Sequence, residues 1–185
     1  MASKQSKLEH DDSGRNSASS DGPRFREAGS SDQPAIREIL REANLSYHSA
    51  KESGQSPENS SSSARTAGGT HNYVCERDGK ITGVLQWRNI REESEVLGIA
   101  VRPEVRGRGN ATFIMSEFVN LMREQGIQQI FLEVRESNLG AIALYRKFGF
   151  AISGRRANYY QNPDESALLL SLKIQKQYQI PSLPY

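Results

Sequence analysis

The stretch that decides the fold reads LGIAVRPEVRGRGNAT and runs from Leu97 to Thr112. Its first five residues form a short apolar run that is typical of a buried strand. Its last residues begin an amphipathic helix that is predicted over 110–125. Between them lies a loop rich in Arg and Gly. Because the first N–H groups of a helix lack intrahelical partners and lie at the positive end of its dipole, this junction predicts an anion site. Arg106 and Arg108 add positive charge, so a diphosphate-bearing cofactor is the ligand that the pattern favours.

Three interpretations of this loop compete. The simplest is a tight strand-to-helix turn with solvated arginines. A P-loop is excluded, because no Gly-Lys-Ser/Thr follows. A dinucleotide site is a rival, because Gly107-x-Gly109 begins its fingerprint and Glu133 ends a later strand at a suitable distance. However, Thr112 stands at the third glycine position, a hairpin precedes the loop, and too little chain follows to complete a doubly wound sheet.

The elements on either side of the loop indicate the fold class. Strands are predicted at 24–28, 72–77, 80–87, 95–101, 129–134, 150–159 and 167–172. Helices are predicted after the capping candidates Ser31 and Asp32, over 110–125 and over 141–148. Asp78-Gly79 is typical of a hairpin turn. This order predicts an α/β or α+β domain with a mixed, mostly antiparallel central sheet of about six or seven strands flanked by helices.

The composition is uneven along the chain. Mean hydropathy is −0.67, yet 17 of the 23 serines fall before residue 95 and the second half carries most of the apolar segments. We therefore predict a disordered N-terminal tail over 1–23 and a domain over 24–174. Within that domain we expect a Ser/Gly-rich flexible insertion at about 47–70, and after it a C-terminal tail over 175–185.

Several classes of protein are excluded by the same composition. No apolar run reaches the ~18 residues of a membrane helix, and the first residues lack the apolar core of a signal peptide, so a cytoplasmic protein without membrane contact is expected. A lone Cys75 and three histidines, His10, His48 and His71, predict no metal site. Cys75 has no recognisable His or Asp partner that would make it a nucleophile. The net charge of +2 is too small to predict direct nucleic-acid binding.

Two residues are candidates for proton chemistry. Glu133 is the only charge in the apolar strand IFLEV, and burial would disfavour its ionised form, as suits a general base. Alternatively, it is a rim carboxylate that pairs with Arg135 or ends the strand. Tyr145 lies on the apolar face of a predicted helix, where an aromatic residue is normally part of the core.

Other polar residues have simple structural interpretations as well. Asn138 is a helix-cap candidate. Tyr159 and Tyr160 precede a turn between two strands and are most simply packing residues, and Arg155 and Arg156 are most simply solvated charges.

A resemblance adds to these interpretations. Arg106-x-x-Gly109-x-Ala111 resembles the Arg/Gln-x-x-Gly-x-Gly/Ala signature of the GNAT N-acetyltransferase superfamily. The matching context comprises the preceding Ile-Ala-Val-x-Pro, Leu132-Glu-Val-Arg-x-Ser-Asn138, Ala-Leu-Tyr145-x-x-x-Gly149-Phe150, Arg155-Arg156, Tyr159-Tyr160 and Glu165-Ser-Ala-Leu-Leu. Together these resemble the bacterial ribosomal-protein N-terminal alanine acetyltransferases. The similarity is good over 94–174 and weak over 24–93.

The resemblance implies the GNAT fold, acetyl-CoA as co-substrate and no metal. It implies Glu133 as proton acceptor, Tyr145 as the acid that protonates the leaving thiolate, and Tyr159 and Tyr160 as substrate-binding residues. The backbone at 99–101 would pair with the pantetheine arm and offer an N–H to the thioester carbonyl. The residues that it assigns to acetyl-CoA binding are Ile99, Ala100, Val101, Arg106, Gly107, Arg108, Gly109, Asn110, Ala111, Thr112 and Asn138.

The expected activity is direct acetyl transfer to a protein N-terminal α-amine, with the alanine of a small-subunit ribosomal protein as the candidate substrate. The alternatives are a small-molecule amine or lysine N-acetyltransferase and a nonenzymatic acyl-CoA sensor. The sequence departs from this pattern twice. The insertion at 47–70 replaces an aromatic-proline-tryptophan stretch that helps to form the relatives' peptide site, and Asn110 replaces a small or apolar residue.

Overall fold

The computed structural model describes residues 22–43 and 69–175. Nearly all of the predicted N-terminal tail, most of the predicted insertion and nearly all of the predicted C-terminal tail lie outside the described residues.

The central sheet is mixed and has seven strands in the order β1-β2-β3-β4-β5-β7-β6. The strands are β1 Arg24–Glu27, β2 Thr70–Arg77, β3 Lys80–Ile90, β4 Glu93–Val101, β5 Gln129–Arg135, β6 Ala151–Tyr160 and β7 Glu165–Lys173. Only β4 and β5 run parallel, and every other neighbouring pair is antiparallel. The predicted fold class is confirmed. A sheet with one parallel pair is not the doubly wound sheet on which a dinucleotide site depends.

Three helices flank the sheet: α1 Gln33–Glu42, α2 Asn110–Glu124 and α3 Leu139–Lys147. Helix α2 is the crossover between the parallel strands β4 and β5, which must be joined by such a connection. Short 3₁₀ turns at Ser30–Asp32 and Pro103–Val105 precede α1 and α2.

The helices divide between the two faces of the sheet. Helix α1 buries one apolar face against β2, β3 and β4 in a small core formed by Ile36, Ile39, Leu40, Val74, Val84 and Ala100. Helices α2 and α3 cover the other face and share the larger core, which includes Trp87, Phe118, Ile130 and Leu170. Helix α2 approaches the sheet closely at Gly83, because a Cβ there would lie 2.8 Å from Cδ1 of Ile114.

The capping prediction for α1 is right about the position of Asp32 and wrong about its hydrogen bond. Asp32 stands at the cap position, but its carboxylate makes no capping bond to α1. It accepts instead from the N–H of Gly29 at 2.7 Å and from the guanidinium of Arg26, with Nη1 2.7 Å and Nη2 3.1 Å away. Arg26 also contacts Glu76, so the side chain of Asp32 ties the start of α1 to β1 and β2.

Candidate functional site

The centre of the sheet opens between β4 and β5. Their pairing ends at Val96 and Leu132, and one residue further along lie Leu97 and Glu133. Leu97 is an extra residue in the ladder with β3, because Val96 pairs with Trp87 whereas Gly98 already pairs with Gln86. Such a bulge bends a strand and increases its twist. The carboxyl-terminal parts of β4 and β5 therefore diverge and leave a wedge, and Ile99, Ala100 and Val101 form its β4 wall.

The loop after β4 lies at the wide end of the wedge and opens helix α2. Gly109 caps the helix with φ +81°, a left-handed conformation that a side chain would strain. The first helical bond joins the Phe113 N–H to the Gly109 carbonyl at 2.9 Å. The N–H groups of Asn110, Ala111 and Thr112 therefore have no partner within the helix. These are the backbone groups on which the prediction of an anion site depends.

Side chains brace this loop from within. Asn110 is buried, and its Nδ2 donates to the Val105 carbonyl at 2.8 Å. Arg106 Nε donates to the Val101 carbonyl at 2.9 Å. Gly107 is left-handed at φ +73°, and Arg108 is exposed. Asn110 departs from the family pattern, yet its side chain holds the 3₁₀ turn against the helix. Its backbone N–H remains one of the three without a partner within the helix.

Glu133 lies at the narrow end of the wedge and is partly buried, with 21% of its side chain exposed. Its Oε1 lies 3.1 Å from Nη1 of Arg156 on β6. The suggested partner Arg135 turns instead to Glu165, at 3.2 Å. Arg155 and Arg156 are exposed, as solvated charges would be, and each also pairs with a carboxylate: Arg155 contacts Glu136 at 2.9 Å.

The two tyrosines at the end of β6 lie against the same charged groups. The Tyr159 hydroxyl donates a hydrogen bond to Glu133, and burial together with that bond raises the pKa of Tyr159 to about 12. The guanidinium of Arg156 lies over the Tyr159 ring, 5.3 Å from its centroid. That of Arg135 lies 4.3 Å from the centroid of Tyr160. The pair is therefore part of the site around Glu133.

Tyr145 on α3 is almost completely buried, and its ring packs on Phe150 with centroids 5.7 Å apart. Burial, and to a smaller extent the neighbouring Tyr160, raises the pKa of the Tyr145 hydroxyl well above its usual value. The structure therefore supports the interpretation of Tyr145 as a core residue.

Asn138 caps α3 as its residue type predicts: Oδ1 accepts from the Ala141 N–H at 3.1 Å. The preceding Ser137 N–H donates to Glu165, the same carboxylate that holds Arg135. The start of α3 is thereby fixed to the end of the β6–β7 hairpin.

Metal ligands and membrane segments were also sought over residues 22–43 and 69–175. No three His, Cys, Asp or Glu side chains come together there as a metal site would need. No helix in the same ranges is long and apolar enough to cross a membrane.

Sequence reasoning missed two parts of this site. The Arg156 contact with Glu133 crosses from β6 over β7 to β5, and no local spacing predicts it. The positive φ of Asn158, beside Tyr159, is equally hidden, and its residue type is only a weak signal.

Comparison with known proteins is consistent with this geometry. The sequence profile of the acetyltransferase (GNAT) family matches residues 34–150. A Bacillus subtilis (strain 168) protein, provisionally named ribosomal protein bS18-alanine N-acetyltransferase, is 35% identical over 104 residues, which are 56% of this chain and 69% of that protein. The Escherichia coli (strain K12) protein of that name is 30% identical over 105 residues, which are 56% of this chain and 71% of that protein.

A solved structure agrees over a longer range. The crystal structure of the ribosomal-protein-S18-alanine N-acetyltransferase from Escherichia coli matches with a TM-score of 0.67 and 23% identity, covering 89% of this chain and all of that one. At this identity the match bears on the fold.

Proposed function

The chain belongs to the GNAT acetyltransferase family and is an N-acetyltransferase that uses acetyl-CoA, and from this premise we propose that its acceptor is the N-terminal α-amine of a protein. The observation that carries the proposal is the place of Glu133. Its carboxylate lies directly beyond the last β4–β5 residue pair, beside two tyrosines that project from the β6–β7 hairpin. The names of the relatives, at 30–35% identity, support the same class of acceptor.

The loop after β4 and the start of α2 would hold the diphosphate of acetyl-CoA. The unpaired N–H groups of Asn110, Ala111 and Thr112, the positive end of the helix dipole and the charges of Arg106 and Arg108 fit an anion there. The space outside Gly107 and Gly109 is open, because nothing lies within 4 Å of a Cβ built on either residue. Asn138 at the start of α3 would be a further contact. Acetyl-CoA supplies the acetyl thioester.

Glu133 would accept the proton that the acceptor amine must lose. An α-amine has a pKa of about 7.7–8.0, so much of it is protonated at neutral pH and cannot attack a carbonyl. The carboxylate is held between Arg156 and Tyr159, which fixes its orientation. A fixed carboxylate can take a proton from an ammonium group that approaches through the wedge.

The β4 wall and Tyr145 would act on the other side of the reacting carbon. An N–H of the segment Ile99, Ala100 and Val101 would donate to the carbonyl oxygen as negative charge develops there. The new bond joins the amine nitrogen to the acetyl carbon, and the carbon–sulphur bond breaks. Tyr145 remains protonated at neutral pH because burial raises its pKa, so its hydroxyl can donate to the departing sulphur.

Tyr159 and Tyr160 would line the entry of the peptide, with the aromatic rings against its first residues. The relatives' names point to the N-terminal alanine of ribosomal protein bS18 as the first substrate to try.

The substrate class can be tested with two sets of peptides and acetyl-CoA. One set has a free N-terminus and varies in its first residues, beginning with alanine. The other has a blocked N-terminus and an internal lysine. We expect acetylation of the first set and a preference for small first residues. Faster acetylation of the blocked lysine peptides would contradict the proposal.

The role of Glu133 is tested by Glu133→Gln, with Glu136→Gln as the matched control. Glu136 follows β5 directly and pairs with the exposed Arg155 outside the wedge. Glu133→Gln should lower kcat by about 10²–10⁴-fold with unchanged affinity for acetyl-CoA, whereas the control should keep its activity. Equal kcat values for the two variants would refute the assignment of the base.

A further inference from the structure

Strand β6 leaves its regular ladder with β7 just before the β6–β7 turn. Arg156 pairs with Ala167, and Tyr160 pairs with Glu165. Three residues of β6 therefore face one residue of β7, Ser166. The middle residue of the three, Asn158, has φ +52°, in the left-handed region. This irregularity is a bulge with two extra residues on β6, and bulges re-aim the side chains that follow them.

The bulge changes which face of the sheet Tyr159 occupies. In a regular strand, residues an odd number of positions apart point to opposite faces, so Arg156 and Tyr159 would lie on different sides. Here both side chains contact the same carboxylate, Glu133. The left-handed residue between them, Asn158, is where the alternation is broken.

The side chains of β6 must cross the width of strand β7 to contact Glu133 on β5. Strand β7 lies between β6 and β5, so the backbone of β6 is roughly 10 Å from that of β5. The long side chain of Arg156 can span that distance from a regular position, opposite the small, buried Ala167. Tyr159, by contrast, directly follows the left-handed Asn158, where a bulge can re-aim its side chain.

We propose that Asn158 is a positioning residue for acetyl transfer, whose left-handed backbone brings Tyr159 to the same face as Arg156 so that the two hold the Glu133 carboxylate between them. The inference rests on the proposed function, because it takes Glu133 as the proton acceptor.

The residue type at position 158 fits this role. Asn and Asp are, after glycine, the residues that most readily adopt the left-handed region, whereas a β-branched residue there is a true outlier. The side chain of Asn158 is exposed. Substitutions there should therefore act through the backbone conformation, and their effects should follow the cost of the left-handed region for each residue type.

The test is a series of variants in the full chain: Asn158→Gly, Asn158→Asp, Asn158→Ala and Asn158→Val. We expect Gly and Asp to keep kcat/KM for an N-terminal alanine peptide within about threefold, Ala to be intermediate and Val to lose about tenfold or more. The Kd for acetyl-CoA should stay constant throughout. The rank order carries the test even if the valine variant folds poorly.

The matched control is Asp78→Val. Asp78 is left-handed at φ +51° in the β2–β3 turn, so the same strain is imposed far from Glu133. The stability of Asp78→Val should fall as much as that of Asn158→Val, but its kcat/KM should stay at the wild-type value. If both valine variants lost equal activity at equal stability, a general folding effect would explain the result and the inference would be wrong.

A second readout follows the geometry itself. The pKa of Tyr159 is raised to about 12 by burial and by its bond to Glu133, and NMR of ring-labelled tyrosine can follow it, with Tyr159→Phe identifying the signal. In Asn158→Val the pKa should fall towards the usual value, and in Asn158→Gly it should not. An unmoved titration in the valine variant overturns the inference, even where Glu133→Gln abolishes turnover. If the pKa of Tyr159 falls in Asn158→Val while Glu133→Gln stays fully active, Glu133 is not the base. The effect of Asn158 on the position of Tyr159 would then still stand.

Discussion

The two sides of the wedge between β4 and β5 are built in different ways. On the β4 side the groups that we assign to the acetyl-CoA diphosphate are backbone N–H groups of the loop and of α2, and the side chains of Arg106 and Asn110 brace the loop from within. On the β5 side the groups to which we assign proton transfer are side chains: Glu133, held between Arg156 and Tyr159, and the buried Tyr145. A backbone site depends on φ and ψ values, whereas a side-chain site depends on which residues from distant strands meet.

The difference predicts how each side responds to substitution. On the β4 side most side chains can change provided that the left-handed glycines stay. On the β5 side the loss of one hydroxyl or carboxylate should be felt directly in turnover. The four tests below address this contrast in order of expected effect.

Tyr145→Phe should give the largest effect. The phenylalanine keeps the packing on Phe150 but removes the hydroxyl that we assign to the leaving sulphur, so kcat should fall by about 10²-fold with an unchanged Kd for acetyl-CoA. Steady-state kinetics and calorimetry measure the two quantities. The control is Tyr73→Phe, at a partly buried tyrosine that packs on Phe25 and Trp87, and this variant should keep its kcat. Wild-type turnover in Tyr145→Phe would remove Tyr145 from the reactive side.

Gly109→Val tests the backbone side. A side chain at φ +81° should displace the N-terminus of α2, so the Kd for acetyl-CoA should rise about tenfold or more. Gly126→Val places the same strain beyond the other end of α2, where φ is +72°, and should lower stability without weakening acetyl-CoA binding. An equal rise in Kd for both variants would mean that strain in the helix, and not the position of its first N–H groups, sets affinity.

Asp32→Asn removes a carboxylate–arginine contact that lies away from the wedge. It tests whether only the contact at the wedge, between Glu133 and Arg156, affects turnover. The guanidinium of Arg26 and the Gly29 N–H hold the pKa of Asp32 below its usual 3.8. Its stabilising contribution is therefore complete above that value and is lost as the pH falls through the lower folded-state pKa. The asparagine variant should lose on the order of 1–2 kcal/mol of unfolding free energy at neutral pH, since Arg26 is partly exposed.

Two measurements on Asp32→Asn complete that test. Urea unfolding at pH 7 and at pH 3 should show the difference from wild type shrinking in acid. The peptide kcat/KM of the folded variant should be unchanged. A loss of turnover at full folding would show that the α1 end of the sheet communicates with Glu133.

Arg155→Gln should give the smallest effect. Arg155 pairs with the exposed Glu136, next to the arginine that contacts Glu133. Exposed ion pairs contribute little, so kcat/KM should change by less than about twofold. A larger loss would mean that Arg155 also contributes to turnover, in addition to Glu133 and the two residues that hold it, Arg156 and Tyr159.

The two left-handed residues Gly109 and Asn158 show what the sequence could reveal. Gly109 stands in a glycine-rich loop between a strand and a helix, so its left-handed conformation could be expected from the sequence. Asn158 lies in the polar run GRRANYY, where its residue type is only a weak signal of a bulge, and the bulge becomes visible only from the pairing of β6 with β7. Local backbone chemistry was therefore predictable, and contacts made across an intervening strand were not.

Strand ends show the same limit. Strand β3 was predicted to end at Trp87 but continues to Ile90, where it pairs with Glu93 at the start of β4. These residues lack a clear alternation, because at the sheet's end the ladder is held by backbone hydrogen bonds and not by burial. The core positions of α2 and β5, by contrast, follow their apolar periods closely.

The short ladder between β4 and β5 has a consequence for cooperativity. Across the boundary between the two halves of the sheet, the β4–β5 ladder has four residue pairs and is extended by one backbone bond from the Gln128 N–H to the Glu92 carbonyl, whereas β2 and β3 share eight pairs. The halves are otherwise held by the apolar core beneath α2 and α3. Amide protons of β4 beyond Val96 on the side of the wedge should thus exchange with solvent rapidly in the free chain. A ligand that bonds to that strand edge completes the sheet, so acetyl-CoA should slow amide exchange in both halves at once and raise the unfolding temperature of the whole domain.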